Sequence, residues 1–188
     1  MTSVAALDGH EGLQAMADGI LPAHEIMQII NADILRLDEP PIEGQIQPAS
    51  IDLRLGSVAY RVRASFLPGA EETVGAKLDD LTVHRIDISE GAVLETGCVY
   101  VVPLLESLDL PKGISAAANP KSSTGRLDVF TRVIADGIGA FDQVPAGYQG
   151  RLLRRFVRRH FLFWCARVRG FLSYGSGVGL HFPRTRIY

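Results

Sequence analysis

Apolar residues in this chain fall mainly at alternate positions, in short runs cut by glycine, proline and aspartate. A period of two turns one face of each run toward a core and the other toward solvent, as strands of an all-β domain do. The runs predict strands at Ser50 to Leu55, Val58 to Val62, Leu81 to Ile86, Gly97 to Leu104, Ile114 to Ala117 and Val129 to Ile134. Only Leu21 to Ala32 carries helical spacing, with Ile26, Ile29 and Ile30 recurring on one face and Pro22 where a first turn tolerates proline. Pro68-Gly69, Gly91 and Leu110-Pro111-Lys112-Gly113 mark turns, the last leading into a buried strand. Strands spaced this closely, with little else helical, predict a mainly β fold, a sandwich or barrel preceded by a short N-terminal helix.

Composition narrows the class. With 188 residues and 47% hydrophobic content the chain is long enough to bury one well-packed core. No apolar run approaches the ~18 residues a membrane helix needs. Met1 to Ile20 lacks the basic-then-apolar order of a signal peptide, so a soluble, cytoplasmic protein is expected. Cys98 and Cys165 lie far apart and suggest neither a disulfide framework nor a zinc site; both are read as inert thiols.

The net charge of −2 conceals a break. Residues 1–150 carry all 21 acidic side chains against 10 basic ones, whereas 151–188 carry nine arginines, no lysine and no acid. The chain therefore divides into an extension (1–20), a core (21–150) and an arginine-rich tail (151–188). Taken alone, Arg151, Arg154, Arg155, Arg158 and Arg159 suggest a patch for nucleic acid or another anionic surface.

Candidate chemistry concentrates in Pro120-Lys121-Ser122-Ser123-Thr124-Gly125-Arg126, where two cations, three hydroxyls and a glycine occupy seven residues. Lysine offers phosphate a point charge, arginine a planar fork, and hydroxyls with backbone N–H groups complete an anion cradle. An ordinary solvated turn has the same composition. Upstream, Gln47-Pro48-Ala49-Ser50-Ile51-Asp52-Leu53-Arg54-Leu55-Gly56 alternates so that Ile51, Leu53 and Leu55 share one face and Asp52 and Arg54 the other. Those charges either face water from an edge strand or belong to a site.

These two segments, followed by Gly137-Ile138-Gly139-Ala140-Phe141-Asp142 and Gly147-Tyr148-Gln149-Gly150, resemble in kind and order the dCTP deaminase branch of the dUTPase-like family, over about residues 21–150. The resemblance implies a distorted dUTPase-like β-barrel of jelly-roll type and a homotrimer with active sites between subunits. It also implies a nucleotide triphosphate bound together with Mg²⁺, without zinc, and hydrolytic deamination of dCTP to dUTP and ammonia. Nucleotide binding is implied for Lys121, Ser122, Ser123, Thr124, Gly125, Arg126, Asp142 and Tyr148. Three of these carry catalytic expectations. Ser122 orients a water near C4 of cytosine, where attack builds a tetrahedral centre. Arg126 reaches the pyrimidine or phosphates of a neighbouring subunit's nucleotide. Asp142 takes the acidic position that orients water and the sugar 3′-hydroxyl in dUTP-hydrolysing relatives, unless it merely caps its own turn. That aspartate keeps open a dUTP diphosphatase or a bifunctional deaminase-diphosphatase, and the arginines a non-catalytic nucleotide or nucleic-acid binder. The Gly137 to Asp142 loop is longer than the common pattern.

One departure is serious. The resemblance implies a glutamate general base five residues beyond the last glycine of Gly147-Tyr148-Gln149-Gly150, and that position is Arg155. A guanidinium accepts no proton at neutral pH. The departure coincides with the charge break, and the genetic code connects the two. Reading each codon as its first two bases preceded by the last base of the codon before, Arg155 becomes glutamate when AGG follows a G. In the same frame, Phe163 to Ser176 can read V-L-V-R-T-G-S-R-L-S-Q-L-R-F, a string similar to the family's closing β-hairpin. A single-base insertion or deletion near codon 150 is therefore expected, with 151–188 out of frame, Tyr188 an accidental end and a longer intended protein. A barrel that loses its last strands exposes unpaired edges, so aggregation or catalytic silence of the literal chain is expected. Nucleic acid is accordingly not the expected partner.

Overall fold

The alternating runs assemble into two antiparallel sheets. The computed structural model describes residues 19–126, 128–158, 163–165 and 178–184. The larger sheet has six strands in the order Val129–Ala135, Gln149–Arg158, Val99–Asp109, Val58–Val62, Thr82–Asp87, with Leu35–Leu37 also paired to Val99–Asp109. The smaller has five, in the order Gln143–Val144, Ala116–Pro120, Val178–His181, Ser50–Asp52, Ile46–Gln47. Ile51, Leu53, Ala116, Ala118 and Leu180 from the smaller sheet meet Tyr100, Val102, Leu104, Val133, Leu152 and Phe156 from the larger in one buried cluster. The helix Ala23–Asn31 buries Ile26 and Ile29 in that cluster. The mainly β architecture with a short N-terminal helix thus forms as the periodicity predicts.

The opposite face of the larger sheet is covered as well. Val62, Val101, Ile134 and Leu153 point there and pack against Val74 and Leu78 of a second helix, Val74–Leu81. This helix corrects the reading of little helix beyond the first. Thr73 caps it by accepting from the Ala76 N–H at 3.1 Å, and Asp136 reaches back to accept from the Val74 N–H at 2.6 Å. Two satisfied amides at one helix end offset the weak propensity of a glycine-containing eight-residue segment. Ser122–Arg126 adds a third, short helix.

The predicted strands recur with shifted ends, Thr82–Asp87 for Leu81 to Ile86 and Val99–Asp109 for Gly97 to Leu104, while Val58–Val62 matches at both ends. The tail departs most from expectation. The boundary at 150 falls inside the ten-residue strand Gln149–Arg158, which lies between two partners and buries Leu152, Leu153 and Phe156. Arg154 on this strand is only 1% exposed, its guanidinium 4.6 Å from the Phe156 ring centroid. Among the described residues no helix is long and apolar enough to cross a membrane.

Candidate functional site

The phosphate-type loop begins where the strand Ala116–Pro120 ends. Lys121 leaves that strand end and forms an ion pair with Asp52, whose strand lies on the far side of Val178–His181 in the smaller sheet. The two motifs singled out in the sequence, 69 residues apart, therefore meet in space. Ser122, Gly125 and Arg126 are exposed beside this pair. The side chains of Ser123 and Thr124 lie outside the described residues. A short helix, Ser122–Arg126, follows directly, and a hydroxyl beside the Lys121 and Arg126 cations suits a polyanion.

Asp142 is placed differently from a free catalytic carboxylate. It sits in left-handed backbone, φ 62°, and is 7% exposed. Its Oδ1 accepts from the Val133 N–H at 2.8 Å and its Oδ2 from Arg132 Nη1 at 2.6 Å. Its own N–H donates to the Val133 carbonyl at 3.0 Å and its carbonyl accepts from the Ala118 N–H at 2.9 Å. Asp142 thus ties Val129–Ala135 to Ala116–Pro120 instead of capping its own turn, and both carboxylate oxygens are engaged. Arg132, which holds it, carries no signal in the sequence beyond its alternate position in Val129–Ala135.

Tyr148 is likewise committed. It is 9% exposed, its hydroxyl donates to the Arg151 carbonyl at 2.8 Å, and burial, with the Asp136 charge nearby, pushes its pKa up to about 12. A Cβ on Gly150 would stand 2.6 Å from the Tyr148 hydroxyl oxygen, so this close approach requires glycine. Lys121, Ser122 and Arg126 are exposed, whereas Tyr148 and Asp142 are buried.

Position 155 lies opposite Arg132 and Val101 in the ladder. Arg155 donates from Nη1 to Ser65 Oγ at 2.7 Å and stacks 4.9 Å from the Phe141 ring centroid. Burial, and then the Arg132 charge, lower its pKa, against the opposing pull of Asp142. Its Nε is buried with no hydrogen-bond partner among the described residues.

Arg54 overturns the picture of a strand face with two charges turned to water. It is 4% exposed: its N–H donates to Glu106 Oε2 at 2.8 Å and its Nε to Oε1 at 3.1 Å. Its Nη1 and Nη2 donate to the carbonyls of Pro40 and Glu39 at 2.9 and 2.8 Å. Gln45 Nε2 donates to the same Glu106 Oε1 at 3.0 Å and to the Asp52 carbonyl at 2.9 Å. Burial raises the Glu106 pKa, and its bonds from Arg54 and Gln45 pull it back. The partner lies 52 residues away, so alternation alone hides the network.

Among the described residues no three His, Cys, Asp or Glu side chains converge on a possible metal site. Of the acids by the loop, Asp52 is taken by Lys121 and Asp142 by Arg132. A cation here would be held through phosphate oxygens, the usual setting for Mg²⁺.

Comparison with known proteins gives the scaffold its relatives. The family model described as the N-terminal domain of 2′-deoxycytidine 5′-triphosphate deaminase matches residues 17–169. The dCTP deaminase of Shewanella amazonensis is 31% identical over 140 residues, 70% of this chain and 69% of that protein. That of Haemophilus influenzae is 30% identical, covering 70% and 68%. The crystal structure of 2′-deoxycytidine 5′-triphosphate deaminase from Agrobacterium tumefaciens superposes with a TM-score of 0.83 at 48% identity, covering 90% of this chain. The match covers 49% of that solved chain, so this sequence spans about half its length.

Proposed function

Because the chain belongs to the 2′-deoxycytidine 5′-triphosphate deaminase family, we propose that this scaffold serves the hydrolytic deamination of dCTP to dUTP and ammonia. The observation that carries the reading is the Lys121–Asp52 contact, which joins the two motifs into one anion-accepting surface with Ser122 and Arg126. In this reading the triphosphate lies along Lys121, Ser122, Ser123, Thr124, Gly125 and Arg126, and Mg²⁺ arrives on its oxygens. In the same reading Asp142 and Tyr148 complete the nucleotide-binding set, Asp142 through the acidic position that orients water and the sugar 3′-hydroxyl. The same family reading carries a homotrimer with sites shared between subunits, Arg126 reaching across, and a cytoplasmic location.

Water adds to C4 and the C4–N bond breaks to release ammonia, with one water proton passing to the departing nitrogen and the other ending on ring N3 of the uracil. That transfer needs a base, and the family resemblance implies a glutamate for it at position 155. Arg155 cannot serve. We therefore read residues 151–188 as out of frame and the literal chain as catalytically silent. An Arg155 facing Arg132 supports this, since like charges directly opposite one another in a ladder are unfavourable.

The test is ammonia release from dCTP by the purified chain and by a chain whose reading frame is restored from codon 151, which brings back the glutamate at 155 together with the closing hairpin. Silence in the first and activity in the second is expected; brisk release by the unaltered chain overturns the reading, and pyrophosphate release marks a diphosphatase instead. Resequencing codons 140 to 188 checks the frame independently.

A further inference from the structure

Asp52 has a side chain whose placement neither core packing nor strand pairing explains. Its backbone is fixed on both sides, the N–H donating to the Gln45 carbonyl at 2.9 Å and the carbonyl accepting from Gln45 Nε2 at 2.9 Å. Gln45 is 2% exposed and bonded in turn to the fully buried Glu106. The Asp52 carboxylate is thereby carried on a rigid post that runs from the core to the surface. Its Oδ2 holds Lys121, and its Oδ1 is buried with no hydrogen-bond partner among the described residues. A buried carboxylate oxygen left over in this way calls for a reason beyond stability.

We propose that Asp52 is a positioning residue for Lys121, presetting its ammonium at the mouth of the 121–126 loop before a polyphosphate arrives; this rests on reading that loop as the triphosphate site. A lysine stem loses more rotamer freedom on ordering than most side chains, and a free one spends that entropy only when the ligand binds. An ammonium has three donors. One N–H kept on Asp52 leaves two for phosphate oxygens, so the pair does not have to break for the ligand to bind. Side-chain exposures of 24% for Asp52 and 43% for Lys121 leave the ammonium open to an incoming anion. The contrary reading is that Asp52 only neutralises Lys121 and repels phosphate.

Calorimetric titration of the full chain with inorganic tripolyphosphate, and separately with deoxycytidine, distinguishes the two. Asp52→Ala is expected to weaken tripolyphosphate binding about fivefold, the scale of a partly exposed ion pair, and to leave deoxycytidine unchanged. Asp52→Asn, which keeps an acceptor for the ammonium and guards against a folding failure of the alanine variant, should fall between. Lys121→Ala with Asp52→Ala should bind no more weakly than Lys121→Ala alone, because Asp52 acts through the lysine. Equal or tighter tripolyphosphate binding by both Asp52 variants overturns the inference while leaving the site standing. Absence of tripolyphosphate binding by the unaltered chain overturns both.

Discussion

Replacing Glu106 by alanine removes the centre of the most buried charge network in the molecule. Glu106 is 0% exposed and accepts from the Arg54 N–H, Arg54 Nε and Gln45 Nε2, all within 3.1 Å. Without it the Arg54 guanidinium, 4% exposed, loses its bonded carboxylate and keeps the carbonyls of Glu39 and Pro40. Breaking a buried ion pair from one side costs about 3–5 kcal/mol, since the remaining charge stays out of water. For a chain of this size that corresponds to a fall in Tm of about 10 °C. Urea unfolding at neutral pH, followed by far-UV circular dichroism, reads it as a lower midpoint at unchanged slope. Glu106→Gln keeps one acceptor and should cost less. The double variant Arg54→Met with Glu106→Leu, which removes both charges and fills the space, should recover most of the loss. A cost under about 1 kcal/mol for Glu106→Ala, or a double variant as unstable as the single, would refute a buried charge that depends on its partner.

Three further outcomes follow from the site's geometry. Tyr148 has its folded pKa raised from 10.0 to about 12, so its contribution to stability is complete below pH 10 and is lost as pH rises through 12. The loss is up to about 3 kcal/mol; Tyr148→Phe should flatten the stability curve over that window, and an unchanged slope would exclude Tyr148 as its source. Asp142→Ala leaves the buried Val133 N–H without its acceptor and places a Cβ-bearing residue at φ 62° with no side chain to hold the turn. A loss of about 2–4 kcal/mol is expected, against under about 1 for Asp142→Asn, which keeps the acceptor and tolerates that backbone; equal losses would mean the charge on Arg132 is what matters. Gly150→Ala drives a Cβ into Tyr148 and should destabilise by about 1–3 kcal/mol, with partial recovery in a Gly150→Ala, Tyr148→Ala double variant measured in the same unfolding assay.

What the sequence discloses and what it hides divide along physical lines. Alternation reveals Val58–Val62 and Val129–Ala135 because each buries one face and wets the other, and it places Ile51 and Leu53 in the core. It misses the helix Val74–Leu81, whose stability comes from a cap by Thr73, a reach-back by Asp136 and packing on the outer sheet face, none of which is local to its own eight residues. It also misleads at Arg54, where a charge at an outward-reading position is drawn inside by Glu106. The stretch of Lys121, Ser122 and Arg126 stands out in the sequence as a candidate because anion recognition needs particular residue types in one short stretch. The commitments of Lys121 to Asp52 and of Asp142 to Arg132 are not, since each depends on which strands become neighbours.

Position 155 shows how far fold and chemistry can separate. The strand Gln149–Arg158 is held by its ladder and by the burial of Leu152, Leu153 and Phe156, none of which depends on the side chain at 155. That side chain nevertheless lies opposite Arg132 and near Asp142, where a carboxylate would meet a cation and a guanidinium meets a like charge. Among the described residues Arg155 stacks on Phe141 and donates to Ser65, with burial and Arg132 lowering its pKa and Asp142 opposing them. The strand tolerates this because burial asks only for apolar volume, which Leu152, Leu153 and Phe156 supply. Proton transfer asks for one carboxylate at one place, and no amount of correct packing supplies it.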